Sequence, residues 1–317
     1  MATHRIPLFL HPDDHDAYDL SSFAVTSRGP VAAPHHGVRE HPEWRKTIEI
    51  PDWADEEWKS VHLRQLGLQF IRPDCAASHT SAAVLHGMAI PNEHLRHIHV
   101  TSAIGVVPVR RRGVRGHSAE MLDVDTAWDL RLVARDQTLR QIAGMLTVAD
   151  MTVALDCLLG GWHGEPSATV ESLRAVAEAP VRYRGRATFL AALERAHPGV
   201  DSPRESSLRL LLVDHGLPEP VVHPPVFVQA LGRVIHPDLG YVEQKIAIEY
   251  EGEHHRTDAR QWAIDIERRQ AYESEGWRLI RVTKSMREAD VVALVAAALG
   301  MPAPGIITAN SGSGSWI

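Results

Sequence analysis

Along the last third of the chain, apolar and polar positions alternate in ways that predict an α/β unit. Over 244–250, Ile246, Ile248 and Tyr250 fall on one side of a strand, while Lys245, Ala247, Glu249 and Glu251 fall on the other. The reason is that successive strand side chains face opposite ways. The pattern predicts further strands at 226–229, 232–236 and 277–282, a long helix at 258–275 and an Ala-rich helix at 289–299. Ser202 and Pro203 sit where an N-cap and a first-turn proline belong, opening a helix with an apolar face of Leu208, Leu211 and Leu212 that ends at Gly216. The predicted order is helix, three strands, helix, strand, helix, with Asp238-Leu239-Gly240 as the turn that folds the chain back.

The earlier chain is less regular. Residues 1–60 are rich in Pro, His and acidic side chains and read as extended or loop segments. A helix is predicted over 75–88, starting near Ser78 or His79, then strands at 97–101 and 104–110. Residues 122–134 and 147–161 read as two helices, the second stopped by Gly160-Gly161, and further helices follow over 167–179, capped by Ser167, and 187–196. Four parts result: an acidic, partly irregular segment 1–60, a mainly helical α+β region 61–200, an α/β domain 201–300, and a flexible tail 301–317.

Composition narrows the class. A chain of 317 residues with 44% hydrophobic and 23% charged residues has the make-up of an ordinary soluble globular protein. Cys75 and Cys157 match no zinc or redox spacing, no apolar leader opens the chain, and Val291–Leu299 is too short to span a bilayer, so a soluble cytoplasmic protein without a membrane partner is expected. The net charge of −7 does not advertise a nucleic-acid binder, yet it is unevenly spread. Residues 1–63 carry 6 basic and 11 acidic side chains, whereas 64–115 carry 7 basic and 2 acidic ones. The second segment includes Arg110, Arg111, Arg112 and Arg115, a candidate phosphate-contacting surface or simply a solvated turn.

Acidic residues on an apolar strand carry the candidate chemistry, because a buried carboxylate without a partner is costly. Asp238 and Glu249 are expected to meet across neighbouring strands, close enough to share a Mg²⁺ or Mn²⁺ ion. Glu205, on the preceding helix, is a third acid, and His255 has the chemistry to orient or deprotonate an attacking water. The bland alternative is a carboxylate pair neutralised by Arg268, Arg269 or Arg281. Asp265 and Arg268, one helical turn apart, fit a structural salt bridge. His94, His97 and His99 match no zinc spacing and are expected to face solvent.

Pro237-Asp238 followed by Glu249 resembles the split acidic motif of the PD-(D/E)XK nucleases, the restriction-endonuclease-like fold. More narrowly, IEYEGEHH, then Asp265-Ile266-Glu267-Arg268, then Gly276-Trp277-Arg278-Leu279-Ile280-Arg281-Val282 resembles the branch named for the very-short-patch mismatch-repair endonuclease, over 202–299. That resemblance implies a mixed sheet flanked by helices and DNA phosphodiester hydrolysis. It also implies Asp238 and Glu249 as metal ligands, Glu205 and Glu251 as further acids and His255 as general base. The sequence departs from the pattern in placing Glu251 at an aspartate position and in lacking the lysine of the general motif. The literal E-x-K at Glu243-Gln244-Lys245 is expected in the hairpin turn, outside the site. Upstream, SHTSAAVLHGM, HIHVT, RRRGVRGH and TAWDL resemble the AbiEi-type antitoxin domain over 62–165. That resemblance implies DNA or a cognate toxin or other protein as partner, and with it a second reading: a non-catalytic binding protein carrying a degenerate nuclease fold.

Overall fold

The first strands come from the acidic N-terminal segment. β1 (Ala2–Leu10) and β2 (Arg39–Ile50) pair antiparallel from Ala2 opposite Ile50, with a register shift between Pro7 and Phe9. Ile6, Ile48 and Ile50 are buried, so strand alternation does operate in a segment whose composition suggests loop. The structure is a computed structural model and describes residues 1–10, 39–251 and 259–302. The described residues divide into two units, one from Met1–Leu146 with Glu171–Leu190, the other from Thr147–Val170 with the chain after Ala191. Among them, no helix is long and apolar enough to cross a membrane.

In the first unit, α1 (Glu56–Ile71) is capped by Asp55, whose carboxylate accepts from the Trp58 amide at 2.8 Å. A mixed five-stranded sheet follows, built from β3 (Cys75–Ala77), β4 (Ile98–Ala103), β5 (Val114–Ala119), β6 (Val124–Ala127) and β7 (Leu130–Val133) in the order β5-β4-β3-β7-β6. Between its strands run α2 (His79–Leu85) and, after β7, α3 (Arg135–Ile142). Leu68, Cys75, Ile98, Val100, Val109 and Val114 form one apolar cluster of this unit.

Two sequence expectations fail here. The segment 122–134 is a hairpin, not a helix: Trp128 and Asp129 both take positive φ, 52° and 62°, as a tight hairpin turn of the mirror-image type demands. Tertiary contacts hold that unusual pair, because Trp128 stands edge-on to Trp58 with centroids 5.2 Å apart and Asp129 pairs with Lys46 at 2.7 Å. The strand expected at 104–110 is irregular chain with Ile104 and Val107 largely exposed, and the ladder resumes only at β5. The region is therefore less helical than its composition implies.

Next along the chain come α4 (Val148–Leu159), which belongs to the second unit, and α5 (Val170–Glu178) and α6 (Arg186–Leu193), which fall mainly in the first. In the second unit, α7 (Pro203–Asp214) has Ser202 as its N-cap, accepting from the Glu205 amide at 3.2 Å. Its mixed sheet has the order β13-β12-β11-β8, with β8 (Val221–Val222), β11 (Leu239–Tyr241), β12 (Ile246–Glu251) and β13 (Arg278–Thr283). A separate hairpin pairs β9 (Val226–Val228) with β10 (Arg233–Ile235).

The alternation of β12 sorts its neighbours into layers. Ile246 and Ile248 join Leu208 and Leu212 of α7 and Val291, Val292 and Val295 of α9 (Glu288–Ala298) in one cluster. Ala247 packs on the opposite face with Ala271 and Tyr272 of α8 (Ala259–Ser274). The unit is thus a mixed sheet with helices on both faces, and the chain as a whole is α/β. One expectation changes: 239–241 is a strand, and the turn lies at 242–245, where Lys245 has φ 52°. The Glu243-Gln244-Lys245 triplet is in that turn, and Lys245 Nζ donates to the Glu275 carbonyl at 2.9 Å.

Candidate metal centre

Strand register positions the acids. Leu239 of β11 pairs with Ile248 of β12, so Asp238 falls beside the Glu249–Tyr250 step. Its Oδ2 accepts from the Tyr250 amide at 2.7 Å, which ties the carboxylate to the neighbouring strand. Glu205, on the first turn of α7, is buried at 7% exposure and accepts at Oε2 from the Asp201 amide at 3.1 Å. Ligand atoms of Glu205, His223 and Asp238 all lie within 4.8 Å of one another.

His223 is the member that sequence reasoning did not find. It follows β8 with φ 47°, its amide donates to the Asp238 carbonyl at 3.1 Å, and its Nε2 lies 3.0 Å from Glu205 Oε2. Its Nδ1 is 3.7 Å from Asp201 Oδ2. No spacing in the sequence marks this histidine; only the pairing of β8 with β11 carries it beside Asp238.

Electrostatics agree with the geometry. Burial raises the Asp238 carboxyl to about 6, and the nearby Glu205 and Glu249 charges push the same way against the Tyr250 hydrogen bond. The hydrogen bond to Glu205 holds the His223 imidazole above its ordinary range, with the charges of Glu205, Asp201 and Asp238 adding to it. A buried carboxylate whose pKa is raised beside other acids marks a place where a cation is favoured.

The remaining expected acids are differently engaged. Glu249 Oε1 is 2.6 Å from Arg268 Nε and accepts from the Tyr272 hydroxyl at 3.1 Å. Glu251 Oε1 pairs with Arg281 Nη1 at 2.7 Å. The structure therefore brings Asp238 and Glu205 together, engages Glu249 with Arg268 and Tyr272, and ties Glu251 to β13. Arg268 also donates to the His236 carbonyl at 2.8 Å. His255 and the side chain of Asp265 lie outside the described residues.

As to fit, two carboxylates and an imidazole within 4.8 Å are a donor set suited to Mg²⁺ or, with its greater tolerance of nitrogen, Mn²⁺. Glu249 joins that set only if Arg268 gives way.

In the first unit, Arg110, Arg111 and Arg112 occupy the loop before β5 and Arg115 lies on β5, all four exposed. β5 is the edge of its sheet. The histidine expectation is corrected: His99 is 7% exposed, not solvent-facing. It meets His79 and His117 rather than His94 and His97, with ligand atoms of all three within 4.8 Å. Burial holds His79 down at about 3 and His99 at about 4, the neighbouring imidazoles adding to it, and burial lowers His117 as well.

No family model, no curated protein and no solved structure matches the chain.

Proposed function

We propose that the second unit is a metal-dependent endonuclease that hydrolyses DNA phosphodiester bonds with Mg²⁺ or Mn²⁺. The observation that carries this reading is the convergence of Glu205, His223 and Asp238 at the end of β11, with Glu249 alongside. Glu205 and Asp238 would hold the cation and His223 or Glu249 would complete its protein ligands. When bound, such an ion activates water and neutralises charge developing on a phosphate. In this reading the hydrogen bond from Tyr250 aims the Asp238 carboxylate, and the hydrogen bond between His223 and Glu205 sets the orientation of both side chains. The hydrogen bond to Glu205 raises the His223 pKa, so a cation held there would compete with a proton for the imidazole. His255 keeps the role of general base that the family resemblance implies. The exposed Arg110, Arg111, Arg112 and Arg115 supply the phosphate contacts.

The test is Mn²⁺ titration of the wild type and of Asp238→Ala and Glu205→Gln, followed by incubation with DNA. The reading expects binding and cleavage in the wild type and loss of both in the variants, with folding retained. Metal-independent cleavage, or cleavage that survives Asp238→Ala, would sink it.

A second reading is favoured by the neutralisation of Glu249 by Arg268 and of Glu251 by Arg281. Here the unit is a non-catalytic module of the antitoxin-regulator type that binds DNA or a toxin partner. It expects DNA affinity to survive Asp238→Ala and to fall on neutralising Arg110, Arg111 and Arg112, with a shallower salt dependence.

A further inference from the structure

The three histidines of the first unit come from separate elements. His79 opens α2, His99 lies on β4 and His117 on β5. β4 and β5 are parallel, with His99 opposite Arg115 and Thr101 opposite His117, so His99, Thr101, Arg115 and His117 share one face of the sheet. His99 Nδ1 is 3.0 Å from His117 Nε2, and the His79 ring stacks on His117 with centroids 3.8 Å apart.

We propose that His79, His99 and His117 form a binding site for a divalent transition metal of the zinc class, with its remaining coordination position facing the adjoining cleft. Zinc–nitrogen bonds of about 2.0–2.1 Å place tetrahedral ligand nitrogens roughly 3.4 Å apart. The observed spacing, 3.0 Å for one pair and under 4.8 Å throughout, is of that order, and the stacked His79 and His117 rings would turn their planes apart to aim both nitrogens at one ion. Three imidazoles with an open fourth position is also the arrangement of catalytic rather than structural zinc.

Three observations go beyond what a hydrogen-bonded histidine pair would require. His79 adopts φ 51°, a left-handed conformation disfavoured for a residue other than glycine, while its ring stacks on His117. The His79 amide donates to Gln141 Oε1 at 2.9 Å and its Nδ1 contacts the fully buried Ser78 Oγ at 3.0 Å. With the hydroxyl as acceptor, the Nε2 lone pair is the one left for a metal, the outer contact typical of metal-bound histidine. Thr101, 1% exposed and in register with His117, has a buried Oγ1 with no hydrogen-bond partner among the described residues. A buried hydroxyl without a partner is expensive, and a metal-bound water would satisfy it.

Gly116 keeps the strand in place. A Cβ there would overlap the Val109 carbonyl oxygen, so only glycine lets the preceding loop lie against β5 next to His117. His79 and His117 also line a cleft of about 1100 Å³ bordered by Glu120, Asp123 and Arg140, which gives the fourth position access to solvent and to a ligand.

This inference does not rest on the endonuclease reading. The experiment uses the full chain, stripped with chelator, carrying Asp238→Asn to disable the acidic site. Zn²⁺ is titrated calorimetrically and Co²⁺ by its visible absorption. The expected result is about one equivalent bound, with the intense Co²⁺ bands of a tetrahedral nitrogen-rich site. His79→Gln and His117→Gln should each weaken Zn²⁺ binding by more than about a hundredfold and abolish those bands, with circular dichroism and melting near wild type. His99→Gln is the third variant; should it fail to fold, the two less buried histidines decide the matter. Absence of the bands in the Asp238→Asn protein, or their persistence in folded His117→Gln protein, would overturn the proposal.

Discussion

Arg268 Nε lies 2.6 Å from Glu249 Oε1, so the acid best placed by strand register to join Asp238 is held by a guanidinium from α8. Tyr272, one turn further along the same helix, donates its hydroxyl to the same oxygen at 3.1 Å. Glu249 is 13% exposed and Arg268 43%, so the pair is only partly shielded from solvent. Arg268→Ala is expected to destabilise the metal-free protein by about 1–2 kcal/mol, because it leaves a mostly buried carboxylate without its partner. If Glu249 is a ligand, the same variant should bind Mn²⁺ several-fold more tightly. Denaturant melts and calorimetry read the two effects separately; a loss of stability with unchanged Mn²⁺ affinity would remove Glu249 from the ligand set.

Asp238 costs the metal-free fold stability at neutral pH. Its pKa rises from an ordinary carboxylate value to about 6 on folding, so the folded state binds the proton more tightly than the unfolded chain does. The penalty is absent below about 4, where both states are protonated, and complete above about 6. Asp238→Asn keeps the acceptor for the Tyr250 amide and removes the charge. It should raise stability at pH 7–8 by roughly 1–2 kcal/mol, after allowance for partial solvent access, with almost no effect near pH 3. Saturating Mn²⁺ should favour the wild type instead.

His62 sets an opposite dependence in the first unit. It is fully buried, its Nε2–H donates to the Trp128 carbonyl at 2.8 Å, and its ring stacks on Trp58 at 4.8 Å. Burial lowers its pKa to about 4, outweighing the hydrogen bond to Trp128. A histidine with a depressed folded pKa contributes stability that is present above its unfolded value and lost as pH falls through the window to the folded one. Between about pH 6.5 and 4 this unit should therefore lose roughly 2–3 kcal/mol through His62 alone. Tryptophan fluorescence should report the transition, and His62→Gln should make it shallower, leaving the part due to His79 and His99, while lowering stability at pH 7.

Asp156 and Arg209 form a buried ionic contact in the second unit, 1% and 3% exposed and 3.4 Å apart. Asp156 also accepts from Ser206 Oγ at 2.7 Å and the His197 amide at 2.8 Å, while Arg209 reaches Glu219 and the Arg195 carbonyl, both at 2.7 Å. Arg209→Ala is expected to cost about 3–5 kcal/mol, since it strands a buried carboxylate. Adding Asp156→Asn should recover part of that loss. Equal stability of the single and double variants in urea melts would show that the pair is not coupled.

Much of the second unit was legible in sequence. Ser202-Pro203 caps α7, the alternation through Ile246, Ile248 and Tyr250 sorts β12 between two helical layers, and 259–274, 278–283 and 288–298 form the elements their patterns predict. Local chemistry suffices for these: a cap bonds amides a few residues away, and a strand period of two is intrinsic to extended backbone. The 124–133 hairpin was not legible, because Trp128, the first of its two turn residues, carries little intrinsic preference for positive φ and is held there by packing against Trp58.

By itself the sequence determined which side chains could carry chemistry and on which face of β12 they stand. Only the tertiary structure decided their partners. His223 joins Glu205 and Asp238 through the pairing of β8 with β11. Arg268 and Arg281 occupy Glu249 and Glu251, and His79, His99 and His117 converge from a helix and two strands. The reason is one of range. Caps, turns and strand faces follow from neighbours along the chain, whereas ion pairs and ligand sets depend on distances that arise only when elements far apart in sequence pack together.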